Sequence, residues 1–163
     1  MAGRSILPSD LWDLKGIMAS GMDTAIYRDK IQYFWGKQPL EMYGGSEFGL
    51  IALQTWDFDA MTFVPDLNFL EFIPEDEHLR SREDPAYEPR TLLMDELEPG
   101  AVYEIVITNF DGGVFVRYRI GDMVRVVALR NERLGIEIPQ MVFETRCDDV
   151  IDLANFTRLT EKT

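Results

Sequence analysis

The sequence predicts an α/β fold with a mixed sheet, in which a short βαβ unit is followed by a mostly antiparallel, barrel-like β-subdomain. Two observations carry this prediction. A strand, a helix and a second strand fit within about thirty residues near the start of the chain, the length of a parallel βαβ unit. Farther along, residues 100–127 read as two long strands joined at Asp111-Gly112-Gly113, and Asp-Gly between apolar runs is a strong hairpin signal.

Three segments in order form the βαβ unit. Residues 14–20 are apolar enough for a short buried strand, residues 24–35 have helical periodicity, and residues 39–43 read as a second strand. The expected buried face of the helix comprises Tyr27, Ile31, Phe34 and Trp35, and its expected water-facing residues are Arg28, Asp29 and Lys30. Gly36 is a natural helix terminator.

The rest of the chain is predicted to be mostly sheet. Residues 51–56, 62–74 and 141–145 are strand-like, and a period of two predicts that the second hairpin strand runs from Val114. Residues 75–90 are charged and contain two prolines, so an exposed loop is expected there. The only histidine, His78, lies in this segment, and we expect no metal or catalytic role for it because no cysteine or second histidine is near it in sequence.

Composition restricts the partners. The chain has 163 residues, enough for one domain with a core, and a net charge of −13. Such an acidic surface repels phosphate backbones, so nucleic acid is not expected as a partner, although backbone amides and a metal ion can still form a local nucleotide pocket. The single Cys147 fits a reducing compartment. No membrane span or signal core is visible, so a cytoplasmic protein is expected.

Asp122 is the first candidate for chemistry. It follows Gly121, and a glycine inside a strand indicates a bulge or a close backbone approach. A carboxylate at such a break can accept two hydrogen bonds from a vicinal diol such as a ribose. The alternative is structural: Asp122 pairs with one of the nearby arginines, which are Arg117, Arg119 and Arg125.

A glycine-rich loop after the second strand is the second candidate. Gly44 and Gly45 permit close backbone approach, Ser46 offers a hydroxyl, and Glu47 offers a hard oxygen ligand for Mg²⁺. Ligands bind at the carboxyl ends of parallel strands in α/β proteins, which is where this loop lies. The alternative is a plain turn with a solvated glutamate.

Three motifs together resemble a known superfamily. Tyr43-Gly44-Gly45-Ser46-Glu47 resembles the tyrosine-glycine-x-serine/threonine-glutamate motif of adenylate-forming enzymes, and residues 117–122 resemble their tyrosine-arginine-x-glycine-aspartate motif. Arg146-Cys147-Asp148 resembles the hinge between their large and small domains. Residues 69–74 and 103–108 are most similar to the auxin-responsive-promoter family of acyl acid–amido synthetases, with phenylacetate–CoA ligases as the nearest competitors.

The resemblance implies a role for each motif residue. Tyr43 would pack near the adenine, together with the turn Ser20-Gly21-Met22-Asp23, and Asp122 would bind both ribose hydroxyls. Ser46 would lie by the α-phosphate, Glu47 would hold Mg²⁺, and Arg146 would approach the ribose or phosphate when the small domain closes. The implied reaction uses ATP to convert a small carboxylic acid to an acyl-adenylate, from which an amine, an amino acid by preference, or a thiol displaces AMP.

Departures and absences qualify the resemblance. Thr145 and Asn155 stand at the two positions around the hinge where the family usually has glycine. Asp152 stands where the family often has a basic residue. A serine/threonine/glycine-rich phosphate loop is expected before this segment and a lysine-bearing lid domain after it. The chain is therefore expected to be a middle piece of a larger protein, inactive by itself and able to self-associate. Its expected parts are residues 1–58 (α/β nucleotide-binding end), 59–145 (β-rich subdomain) and 146–163 (hinge and start of the lid). The non-catalytic alternative is an adenylation-like binding module.

Overall fold

A computed structural model describes the chain at residues 5–21, 24–110, 114–147, 151–153 and 157–159. Within these ranges the helices are α1 (Pro8–Leu11), α2 (Thr24–Trp35) and α3 (Glu75–Glu83), with a 3₁₀ turn at Met94–Glu96. The strands are β1 (Met18–Ser20), β2 (Leu40–Gly45), β3 (Gly49–Gln54), β4 (Met61–Phe63), β5 (Asn68–Pro74), β6 (Val102–Asn109), β7 (Tyr118–Ala128), β8 (Gln140–Arg146), β9 (Ile151–Leu153) and β10 (Thr157–Leu159).

The first eight strands form one mixed sheet in the order β1-β2-β3-β4-β8-β7-β6-β5. β1 and β2 are parallel, with Met18 opposite Leu40, and the connection between them is α2. The other adjacent pairs of this sheet are antiparallel. The sheet is open, with β1 and β5 at its edges, while β9 pairs with β10. The predicted α/β fold with a mixed sheet, a βαβ unit followed by mostly antiparallel strands, is confirmed.

The core lies against the middle of the sheet. Phe63 on β4 and Phe72 on β5 are almost fully buried, and their rings meet edge to face with centroids 5.3 Å apart. Ile105, Val124 and Met141 add fully buried side chains from β6, β7 and β8. Burial of one such side chain stabilises the fold by about 1.5–3 kcal/mol. This core fixes the strands that carry the candidate site residues.

The expectation of an exposed loop at 75–90 is wrong in its first half, which is the helix α3. The first turn is acidic and the last turn basic, the distribution that the helix dipole favours; these residues are Glu75, Asp76 and Glu77, then Arg80 and Arg82. His78 is the buried residue of this helix, only 6% exposed. Because α3 has no apolar stripe, hydrophobic periodicity could not detect it.

Several strand limits also differ from the prediction. β7 begins at Tyr118 rather than Val114, because Arg117 takes a left-handed conformation (φ 47°) that interrupts the strand. The first strand begins only at Met18, and the strand expected at 62–74 is divided into β4 and β5. The predicted hairpin turn Asp111-Gly112-Gly113 lies outside the described residues.

The helix α2 has its predicted limits, and its predicted faces are wrong only at Tyr27 and Arg28. Tyr27, expected to be buried, is 52% exposed, whereas Arg28, expected in water, is half-buried and reaches Glu41 on β2. The cause is tertiary: an ion pair with the neighbouring strand overrides the helical pattern. Among the described residues, no helix has the length and apolar character needed to span a membrane.

Candidate functional site

One cavity collects residues from all three sequence motifs. It has a volume of about 440 Å³ and lies where β1 and β2 come near β7 and β8. Six of the predicted site residues line it, namely Ser20, Gly21, Tyr43, Gly44, Asp122 and Arg146. The curvature of the sheet therefore brings together positions that are far apart in sequence.

Tyr43 and Asp122 form the central contact of this cavity. The Tyr43 hydroxyl donates to Oδ2 of Asp122 at 2.7 Å, and Asp122 is only 8% exposed. Burial raises the pKa of the Tyr43 phenol far above its usual value, and the adjacent Asp122 carboxylate raises that pKa further. Tyr43 therefore stays neutral and remains a hydrogen-bond donor to the carboxylate.

Arg146 approaches the same carboxylate from β8. Its Nε lies 3.4 Å from Oδ1 of Asp122, and the two residues are opposite each other in the β7–β8 register. The three arginines considered as alternative partners each pair with a glutamate: Arg117 with Glu71, Arg119 with Glu104 and Arg125 with Glu144. Asp122 thus contacts Tyr43 and Arg146 rather than any of the three arginines named as alternative partners.

The predicted break at Gly121 is a bulge. Gly121 has φ 79°, a conformation that favours glycine, and the β6–β7 register shifts opposite it between Glu104 and Val106. A bulge turns side chains and increases strand twist. This local irregularity lies immediately before Asp122 in the strand.

Gly44 and Gly45 are required by the tight β2–β3 hairpin. A Cβ at Gly44 would collide with the backbone of Gly49, and one at Gly45 would lie 2.6 Å from the Phe48 ring. The register shifts between Tyr43 and Gly44, so the strand is irregular where the Tyr43 side chain enters the cavity. The backbone of Gly44 thus lies close to that of Gly49 within the hairpin, whereas a close approach of a ligand to these glycines stays a prediction.

Ser46 and Glu47 lie in the exposed turn of the same hairpin, outside the cavity lining. The Ser46 hydroxyl donates to Oε2 of Glu47 at 3.2 Å. A hydroxyl and an exposed carboxylate are hard oxygen donors, and Mg²⁺ in nucleotide sites usually has one or two carboxylates with substrate phosphates and water. The donor set therefore fits Mg²⁺.

Other expected positions lie outside the described residues, namely Met22, Asp23, Asp148 and Asn155. The described part of the adenine-side turn, Ser20 and Gly21, does line the cavity. Thr145, which stands where a hinge glycine is usual, donates its hydroxyl to the carbonyl of Arg146 at 3.3 Å.

Glu41 and Phe58 also line the cavity, and sequence reasoning missed both. Glu41 lies two positions before Tyr43 on β2 and so projects from the same face, where it accepts a 2.6 Å hydrogen bond from Arg28. That spacing could have identified Glu41. Phe58, in the β3–β4 connection, lines the cavity with φ 54°, and nothing in the sequence indicated it.

Sequence comparison relates this chain to plant enzymes. The family model described as the GH3 family central domain matches residues 61–146. The jasmonoyl–L-amino acid synthetase JAR4 of Nicotiana attenuata is 31% identical over 153 residues, which are 90% of this chain and 24% of that protein. The chain therefore spans about a quarter of the length of this relative.

Solved structures share the fold. The GH3.15 acyl acid amido synthetase has a TM-score of 0.59 at 20% identity, with 90% of this chain and 25% of that chain covered. The 2-hydroxyisobutyryl-CoA ligase in its postadenylation state with 2-HIB-AMP has a TM-score of 0.65 at 18% identity, with 91% of this chain and 30% of that chain covered. At such low identity the likeness establishes the fold alone.

Proposed function

This chain belongs to the GH3 family, and on that premise we propose that the full-length protein is an acyl acid–amido synthetase. It activates a small carboxylic acid with ATP as an acyl-adenylate and transfers the acyl group to an amine, preferably an amino acid. The family match bears out the resemblance drawn from the motifs. The observation that carries the proposal is the convergence of Tyr43, Asp122 and Arg146, one from each motif, on one cavity.

The cavity suits a nucleoside. Asp122 supplies the carboxylate for both ribose hydroxyls, and a carboxylate has about four acceptor positions, so the bond from Tyr43 leaves others for the ligand. Tyr43 and the Ser20-Gly21 backbone form the wall beside the adenine. Burial of Asp122 strengthens its hydrogen bonds because the surroundings are less polar than water.

The chemical step is attack of the substrate carboxylate on the α-phosphorus of ATP, which releases pyrophosphate. Ser46 donates to the α-phosphate, and Arg146 balances negative charge as the domain that follows it closes. Glu47 would hold Mg²⁺, which when bound neutralises charge on the phosphate oxygens. The remaining contribution of the chain is positioning, because a fixed ribose fixes the reacting phosphorus.

The acceptor distinguishes the proposal from its nearest alternative. A thiol acceptor would make the protein an acyl-CoA ligase, a possibility kept open by the fold shared with the 2-hydroxyisobutyryl-CoA ligase. The amine is preferred because JAR4, at 31% identity, is by name a jasmonoyl–L-amino acid synthetase. We also propose that the protein is cytoplasmic and does not bind nucleic acid. Its β-rich subdomain would begin after residue 58 and end before residue 146.

The test is pyrophosphate release by the full-length protein with ATP, Mg²⁺ and a panel of carboxylic acids. Asp122→Ala and Glu47→Ala should each lower acid-dependent release about a hundredfold, the effect of losing roughly 3 kcal/mol of transition-state stabilisation. Asp66→Ala, which removes an exposed carboxylate outside the cavity lining, is the matched control and should change release less than about twofold.

The products identify the acceptor. Amide formation with amino acids supports the synthetase, whereas thioester formation with CoA supports the ligase. A folded full-length protein that releases no pyrophosphate with any acid contradicts both and favours a non-catalytic binding module.

A further inference from the structure

A buried ionic cluster that the proposed reaction does not use lies between α3 and the sheet. Glu104 on β6 is 2% exposed, and its Oε1 accepts a 2.9 Å hydrogen bond from Nε of Arg119. Its other oxygen lies 2.7 Å from Nδ1 of His78. An ionised carboxylate only accepts hydrogen bonds, so Nδ1 of His78 carries a proton and donates it. Arg119 also donates to the Ser81 hydroxyl at 3.1 Å, which ties α3 to β7.

The donor types of this cluster are those of a metal site, but its charges are already balanced by protein groups. Donor atoms of His78, Glu104 and Cys147 lie within 4.8 Å of one another. However, Nδ1 of His78 and the Arg119 guanidinium both already contact the Glu104 carboxylate. The positive charge that a cation would bring is therefore supplied by the protein itself.

The cluster meets the end of β8 at Cys147, the residue after Arg146. The Cys147 side chain is buried, with Sγ 4.0 Å from Nδ1 of His78. From the same helix, Nη1 of Arg82 donates to the Cys147 carbonyl oxygen at 3.0 Å. The helix that carries the cluster thus holds the backbone directly beyond Arg146.

We propose that Arg82 is a positioning residue for Arg146, acting through its hydrogen bond to the Cys147 carbonyl. The inference rests on the proposed function of Arg146. The Arg146 side chain is half-exposed and approaches Asp122 only to 3.4 Å, so this contact restrains the side chain weakly although the backbone pairs with β7. A charge-assisted bond to the next carbonyl fixes the end of β8 and keeps the Arg146 side chain opposite Asp122.

The helix α3 can hold Arg82 in place because side-chain contacts attach it to two strands of the sheet. His78 joins it to β6 through Glu104, and Ser81 joins it to β7 through Arg119. Arg82 follows Ser81 on this helix, so the same contacts hold its backbone in place. Arg80 lies on the same helix but pairs with Glu77 at 3.4 Å, so it provides a matched control that leaves the cluster intact.

Kinetics of the full-length protein test the coupling. Arg82→Ala should lower the kcat of pyrophosphate release about tenfold, the effect of one lost charge-assisted bond, with Arg80→Ala changed less than about twofold. In Arg146→Ala, the further change Arg82→Ala should have almost no effect, because the two residues act as one unit. Equal losses in both backgrounds would overturn the proposal, as would an undiminished rate in Arg82→Ala.

Amide hydrogen exchange without nucleotide provides a readout independent of activity. Exchange in the peptide Glu144–Cys147 should be faster in Arg82→Ala and unchanged in Arg80→Ala; equal exchange in both overturns the inference. This arm remains decisive even if the wild type releases no pyrophosphate, which would refute the proposed function alone. If Arg82→Ala does not fold, Arg82→Gln replaces it in both measurements, and Arg82→Lys, which keeps the charge, should restore most of the rate.

Discussion

The phenol of Tyr43 on β2 donates a 2.7 Å hydrogen bond to Asp122 on β7, although three strands lie between β2 and β7 in the sheet. Neighbouring strands lie about 4.8 Å apart, so a flat sheet would separate these two strands by roughly 19 Å. The bond therefore requires a strongly curved sheet. This curvature brings residues of distant strands close enough to line one cavity, and that cavity is the basis of the proposed function.

The hydrogen bond predicts that Tyr43→Phe weakens nucleotide binding. Asp122 would lose a donor that orients its carboxylate, while the ring packing against Phe48 and Phe143 would persist. Hydrogen bonds to charged groups contribute about 1.5–3 kcal/mol, so the dissociation constant of ATP for the full-length protein should rise about tenfold or more. Isothermal titration calorimetry measures it, with the exposed Tyr33→Phe as control. Equal affinity in both variants would contradict the assigned role.

The hairpin geometry predicts that Gly44→Ala destabilises the fold. The added Cβ would meet the backbone of Gly49, which cannot move aside as a flexible side chain would. Such overpacking costs about 2–3 kcal/mol, measurable by urea denaturation. Gly16→Ala is the matched control, because a Cβ there would meet nothing within 4 Å. A loss of stability at Gly44 no larger than at Gly16 would refute the close approach.

The ionic cluster behind β8 predicts a large effect of Glu104→Gln. The neutral amide would leave Arg119 and His78 without their shared carboxylate in a buried position. Removal of one partner from a buried pair costs about 3 kcal/mol or more. The free energy of unfolding from urea titration provides the measurement. Glu132→Gln, which breaks the exposed pair with Arg130, should change stability by less than about 1 kcal/mol; similar losses in the two variants would show that the cluster is not stabilising.

The same carboxylate predicts a stability that falls in acid. Burial raises the pKa of Glu104, but hydrogen bonds from His78 and Arg119 lower it more, so the net pKa lies below the ordinary 4.5. As the pH falls, the unfolded chain therefore takes up this proton before the folded protein does. The contribution of Glu104 is complete above about pH 4.5 and is lost as the pH falls through the folded-state pKa.

Thermal denaturation between pH 7 and pH 3 tests this linkage. The difference in Tm between wild type and Glu104→Gln should be constant near neutral pH and shrink in acid, because glutamine does not titrate. A difference that stays constant down to pH 3 would mean that the Glu104 charge does not stabilise the fold.

Residue patterns at short spacing were sufficient to predict much of the fold. Periodicity predicted α2 at its observed limits and the strands around it, and the glycine inside the second hairpin strand correctly indicated the bulge at Gly121. It failed for α3, whose nine residues carry no apolar stripe and whose burial depends on one histidine and its ion-paired partners. Helices of that kind are stabilised by tertiary contacts, which a local pattern does not contain.

By itself, the sequence determined the fold class, the family resemblance and the motif residues, because these depend on residue types at short spacings. Only the tertiary structure decided which of those residues meet. It joined Tyr43 to Asp122 and Arg146, left Ser46 and Glu47 on an exposed turn, and buried His78 against Glu104. The physical reason is that such contacts depend on the curvature and register of an eight-stranded sheet, which are set by packing between residues far apart in the chain.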